Sequence, residues 1–175
     1  MIMAQKKAQK SREEIYQEVL DKLLLFASHK DRTKKEYLDA GARYLSRCKN
    51  SQQEKTEILE ELITRLDELN LVDDAAYARA YLKEKLSFGK PIGRFAIKKF
   101  LYKKGVPNNV IQDVLEEYTY DLEFSQAQKL LKKRLATSEN KVPAKLRQKT
   151  IAYLHTRGFS SDVIYAVIDT KLKTH

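Results

Sequence analysis

One sixteen-residue pattern occurs twice in this chain, without a gap, and it dictates a repetitive helical build. FLYKKGVPNNVIQDVL, from Phe100 to Leu115, lies over YLHTRGFSSDVIYAVI, from Tyr153 to Ile168, at an offset of 53 residues. Leu101 meets Leu154, Gly105 meets Gly158, Val110 meets Val163, Ile111 meets Ile164 and Val114 meets Val167. Phe100 opposite Tyr153, Lys104 opposite Arg157 and Leu115 opposite Ile168 keep the chemical type. Self-similarity at a fixed period marks a chain built from stacked supersecondary units. Each copy reads as helix, glycine, helix, with Gly105 and Gly158 after lysine- or arginine-ending runs, where helix C-caps belong. A looser copy precedes them. Tyr44-Leu45 leads through a longer loop, Arg47 to Lys55, into Ile58, Leu59, Leu62 and Ile63, without the glycine.

The units are helical because their apolar residues return every three or four positions. Ile58, Leu59, Leu62, Ile63 and Leu66 form one such stripe. Val110, Ile111, Val114, Leu115 and Tyr118 form a second, and Val163, Ile164, Val167, Ile168 and Leu172 a third. Each stripe needs a neighbour to cover it. A further helix precedes each copy: Ile15 to Phe26, Ala75 to Phe88 and Leu122 to Thr137. In the middle one, Ala78, Tyr81, Leu82 and Leu86 face inward, so Tyr77 and Tyr81 read as packing at the core edge. With 5 glycines and 3 prolines, the chain has few turn residues to spend on strands.

Thr33 with Glu36, and Ser51 with Glu54, have the spacing of capping boxes. Asp73 and Asp74 precede a helix, and Pro91 and Pro143 suit first helical positions. About nine helices follow. The expected fold is all-α, an elongated tandem array of three three-helix repeat units with a concave face. The units span 11–72, 73–120 and 121–175, behind a basic N-terminal tail at 1–10 in which Lys6, Lys7, Lys10 and, just beyond it, Arg12 read as frayed.

Catalytic chemistry finds no footing. The lone Cys48 has no histidine near it, and His29, His155 and His175 lack metal-ligand spacing. Glycine-rich phosphate loops, HExxH and GxSxG are missing, and Asp73-Asp74 reads as a helix cap. No cofactor and no small-molecule substrate are expected. The start, MIMAQKKAQKSR, lacks the apolar run of a signal peptide, and no stretch reaches membrane-spanning length, so the expected location is the cytoplasm.

Charge supplies the functional signal. The formal net charge is +10. Residues 1–72 nearly balance, with 14 basic and 13 acidic side chains, whereas residues 79–104 carry 9 basic against only Glu84. Residues 129–157 again carry 9 basic against only Glu139, while 108–123 has 5 acids and no base. Such segregation attracts polyanions. On a helix from Pro91 to Lys104, Ala96, Ile97, Phe100 and Leu101 turn inward and Arg94, Lys98 and Tyr102 line the other side, with Lys99 beside them. The candidate binding residues are Lys83, Lys85, Lys90, Arg94, Lys98, Lys99, Tyr102 and Lys103 in the second unit. In the third they are Lys132, Lys133, Arg134, Lys145, Arg147 and Lys149, with Lys129 nearby. The plain alternative is a solvated helix face.

From Leu66 to Tyr118 the sequence resembles the central region of the bacterial regulatory protein family RecX. The likeness lies in the leucine-rich helix ending at Leu71, Asp73 and Asp74, the Tyr77-Ala78 step, Gly89-Lys90, and KKG before the helix with Ile111 and Leu115. TRGFSSDVIYAVI is similar to that family's C-terminal ending. The resemblance implies a cytoplasmic, non-enzymatic protein of tandem three-helix units that binds the RecA recombinase filament on single-stranded DNA. It further implies that such a protein lies in the filament groove and lowers strand exchange, ATPase and coprotease activities. No individual contact residue follows from it.

The expected mechanism is an array lying along the filament, anchored by Lys83, Lys85, Lys90, Arg94, Lys98 and Lys99 and bridging neighbouring recombinase subunits. Reversing Arg94 and Lys98 should then weaken inhibition while leaving helicity intact. Two other readings stay open at this point. One is a stand-alone basic helical DNA-binding protein; the other is a helical adaptor for acidic peptides.

Overall fold

A computed structural model describes residues 10–135 and 144–172, with the side chains of 134, 135, 144, 171 and 172 left aside. Among the described residues there are nine helices and no strand. They are α1 (Arg12–Ser28), α2 (Lys34–Leu45), α3 (Gln52–Glu68), α4 (Asp74–Ser87) and α5 (Arg94–Lys103). α6 (Asn108–Glu117), α7 (Tyr120–Leu135), α8 (Ala144–Thr156) and α9 (Ser161–Leu172) complete the order. The chain divides into two units, 1–74 and 75–175.

In the first unit, α1, α2 and α3 each begin at a complete capping box: Ser11 with Glu14, Thr33 with Glu36, and Ser51 with Glu54. Each serine or threonine oxygen accepts the N–H three residues on, and each glutamate returns the favour, so two free donors are satisfied at every start. The Ser51 box starts α3 at Gln52, one turn earlier than a loop running to Lys55 would allow. Ser11 likewise makes Arg12 the first residue of α1, where its guanidinium reaches Glu61 at 2.6 Å, and Lys10 pairs with Glu18. Lys10 and Arg12 are therefore engaged side chains, while Lys6 and Lys7 lie outside the described residues. The core joins Ile15, Val19 and Leu23 of α1 to Tyr37, Ala40 and Leu45 of α2 and Ile58, Leu62 and Leu66 of α3. Cys48 sits half-buried at its edge as a free thiol.

The second unit carries two apolar clusters. Ala78 and Leu82 of α4, Ile97 and Leu101 of α5, Val106, and Ile111, Val114 and Tyr118 around α6 form one. Tyr81 stacks on Phe100 at its margin, ring centroids 4.1 Å apart, the packing role expected for it. Ala127, Leu130 and Leu131 of α7 meet Leu154, Phe159, Val163, Ile164, Val167 and Ile168 in the other.

The sequence repeat is visible in the hydrogen bonds. Gly105 N–H donates to Tyr102 and Val106 N–H to Leu101, while Gly158 N–H donates to His155 and Phe159 N–H to Leu154. These are matching Schellman caps, and both glycines hold the left-handed backbone such a cap requires, φ 78° and 80°. In the first unit α2 ends without one, at Ser46 in right-handed conformation. The left-handed residue there is Asn70, after α3.

Candidate functional site

The start of α5 departs from expectation. Pro91 is not its first helical residue: the helix begins at Arg94, with Gly93 as N-cap. The backbone of 91–93 is claimed by other elements and cannot wind. Pro91 O accepts from Arg157 Nη2 at 2.7 Å, Ile92 O accepts from the Tyr118 hydroxyl at 2.7 Å, and Gly93 N–H donates to Arg157 O at 3.0 Å. A glycine N-cap has no side chain to offer, so the first free N–H groups of α5 find acceptors elsewhere. Arg94 N–H donates to Glu123 Oε1 at 3.1 Å and Phe95 N–H to Gly158 O at 2.9 Å.

Glu123 is the pivot of this junction and is only 1% exposed. Its carboxylate accepts from Arg94 N–H and Nε, and from the Ser160 N–H and hydroxyl, at 2.8 to 3.3 Å. It therefore serves the N-termini of α5 and α9 together, where helix dipoles favour negative charge. Arg94 Nη2 also donates to Tyr118 O at 2.9 Å. Burial, with the Glu123 charge adding to it and Arg94 opposing, pushes the Tyr118 phenol far above its ordinary value. The sequence reading overlooked Glu123. The signal was present: Glu123 shares a helical stripe with Ala127, Leu130 and Leu131, where an acid needs a partner.

This arrangement reassigns Arg94. Its side chain keeps 35% exposure but is bound to a buried carboxylate, so it is a structural cation. Reversing its charge would set two carboxylates against each other, so that substitution is expected to cost stability at this junction, unlike a reversal at Lys98.

The outward face of α5 is instead Phe95, Lys98, Lys99, Tyr102 and Lys103, at offsets 0, 3, 4, 7 and 8, all exposed. Phe95 is 58% and Tyr102 73% exposed, and Phe88, just past α4, is 92% exposed. Phe95 and Phe88 were not singled out from the sequence, although Phe95 shares the helical spacing of Lys98, Lys99 and Tyr102. Lys83 and Lys90 are exposed as well. Among the described residues, no ion pair engages Lys83, Lys90, Lys98, Lys99 or Lys103. Lys85 is half-buried, pairs with Glu84 at 2.8 Å and lies 5.0 Å from the Tyr81 ring. The acidic side chains Asp113, Glu116 and Glu117 are exposed on α6, with Glu117 bound to Arg79.

The third group of candidates lies on other helices. Lys129, Lys132 and Lys133 are exposed on α7, as are Lys145 and Lys149 on α8, while Arg147 is half-buried and reaches Asp169 at 3.4 Å. The Arg134 side chain and Pro143 lie outside the described residues. Asp74, expected to cap the helix it precedes, is instead the first residue of α4 and serves the start of another helix. It accepts the Lys34 N–H at 2.9 Å, at the start of α2, and its burial raises its pKa. Among the described residues, no group of three or more potential metal ligands occurs, and no helix is long and apolar enough to cross a membrane.

Comparison with known proteins agrees with this architecture. Residues 73–115 match the family description "RecX, second three-helix domain", and residues 121–168 match "RecX, third three-helix domain". Regulatory protein RecX of Finegoldia magna is 32% identical over 83% of this chain and 68% of its own length. That of Clostridioides difficile is 29% identical over 91% of this chain and 71% of its own. The crystal structure of RecX from Lactobacillus salivarius superposes with a TM-score of 0.76 at 25% identity, covering 90% of this chain and 97% of that one. With two of its three-helix domains matched and its fold shared, the chain belongs to the RecX family of regulatory proteins.

Proposed function

We propose that the protein is a non-enzymatic negative regulator that binds the filament formed by a RecA-type recombinase on single-stranded DNA, restraining recombination and DNA repair in the cytoplasm. The observation that carries this reading is the α5 face: unpaired lysines and exposed rings on a helix whose first turn is fixed by Glu123 and Gly158. A filament offers phosphates and acidic protein surface together, and clustered cations favour both. A pre-ordered helix loses little freedom on binding.

In this reading the chain comprises a basic tail at 1–10 and three-helix units at 11–72, 73–120 and 121–175. Lys83, Lys90, Lys98, Lys99, Tyr102 and Lys103 anchor the second unit, with Lys85 at its margin. Lys132, Lys133, Arg134, Lys145, Arg147 and Lys149 anchor the third. Contacts spanning neighbouring recombinase subunits would oppose the rearrangement that accompanies nucleotide turnover, without bond chemistry by this protein.

The test is co-sedimentation with recombinase filaments assembled on single-stranded DNA, set beside naked DNA and free recombinase. Preferential recovery with the filament supports the proposal. Equal recovery with naked DNA, unchanged by recombinase, would assign the chain to stand-alone DNA binding.

A further inference from the structure

We propose that the α5 face touches the nucleic acid itself, with Phe95 and Tyr102 stacking on unpaired bases while Lys98 and Lys99 neutralise the phosphates between them. This deepens the function proposed above, on which it rests for the site, by naming the component of the filament that α5 meets.

Two large rings stand in water on one side of a ten-residue helix, at 58% and 73% exposure. They stand seven positions apart in the sequence, about 10 Å along the helix axis. Lys98 and Lys99 fall midway on the same face, exposed and without an ion pair among the described residues. Aromatic platforms alternating with cations are what a single strand needs, because every base presents a π-face and every linkage a charge. A duplex keeps its base faces stacked and offers polar edges in its grooves, which the Phe95 ring cannot read. An acidic peptide would satisfy the lysines but would leave the two rings without flat partners.

The fixed first turn strengthens the case. Phe95 N–H is bound to Gly158 O and the neighbouring Arg94 to Glu123, so the ring at position 95 projects from backbone that is already ordered. Neither ring belongs to the apolar cluster beneath α5, so both can be changed without opening it.

The experiment measures anisotropy of a fluorescein-labelled oligothymidylate titrated with the full chain, without recombinase, and repeats it with a duplex of equal length. F95L/Y102L keeps apolar bulk and helix propensity but removes both π-faces. It is expected to bind the single strand tenfold or more weaker with an unchanged salt slope, while parent and variant bind the duplex alike. K98E/K99E is expected to weaken binding and flatten the salt slope. Parent-like binding of F95L/Y102L, or equal losses on single strand and duplex, would overturn the stacking. Helicity by circular dichroism verifies that each variant is folded. If stacking fails while the chain still co-sediments with filaments, this inference falls and the proposed function stands. If stacking holds but filaments are ignored, the reverse is true.

Discussion

Gly93 and Gly158 meet backbone to backbone: a Cβ added to Gly93 would lie 2.2 Å from the carbonyl carbon and oxygen of Gly158. The contact joins the N-cap of α5 to the C-cap of α8, and with it the two apolar clusters of the second unit. A Cβ on Gly158 would in turn fall 2.4 Å from Ala96 N, at a φ of 80°. G93A should therefore force the backbones apart and cost about 1–3 kcal/mol, as overpacking does. Urea unfolding measures this directly.

The two Schellman glycines allow an internal comparison. Both adopt left-handed φ, so G105A and G158A share a strain of about 1–2 kcal/mol. G158A alone adds the clash at Ala96. Its midpoint in urea should fall further than that of G105A, and equal losses would show that the junction is dispensable to stability.

Glu123 holds two helix starts and one guanidinium. E123A should cost about 2–3 kcal/mol, below the loss for a fully buried pair because Arg94 retains water contact. R94E should destabilise comparably, through repulsion from Glu123. K98E should leave the unfolding free energy within about 0.5 kcal/mol of the parent, as exposed sites generally do. Thermal melts of the three variants separate the structural cation from the surface one.

Tyr118 predicts a loss of stability in alkali. Its folded pKa lies above the unfolded value near 10, because burial disfavours the phenolate. A group raised in this way contributes stability fully present below the unfolded pKa, and loses it as pH rises toward the folded one. Unfolding free energy should thus begin to fall above about pH 10. Y118F should weaken that dependence, leaving the part due to Tyr37 and Tyr81, whose phenols burial also raises, while costing about 1 kcal/mol at neutral pH for the lost bond to Ile92 O.

Much of the fold was legible in the sequence. Thr33 and Ser51 announced their helices because capping is local, and Gly105 with Gly158 announced matched ends because left-handed caps select glycine. The start of α5 was not legible. Pro91 suited a first helical position, but Arg157 and Tyr118, 66 and 26 residues from their partners, bind the carbonyls that would have entered the helix. For the same reason Arg94 looked like a surface cation. Its partner Glu123 lies 29 residues away, beyond the reach of helical periodicity. Lys98, Lys99 and Tyr102 were legible because amphipathic spacing alone decides which side of α5 they occupy. Phe95 was legible by the same spacing, at offsets 3, 4 and 7 before Lys98, Lys99 and Tyr102, but was not singled out.

The central claim is regulation of a recombinase filament through binding. The DNA-dependent ATPase of RecA on single-stranded DNA, titrated with this protein and with K98E/K99E, tests it most directly. The account predicts inhibition at substoichiometric protein, shifted to higher concentration by the double reversal and by added salt. A folded, helical sample that leaves the ATPase unchanged at every ratio would contradict it.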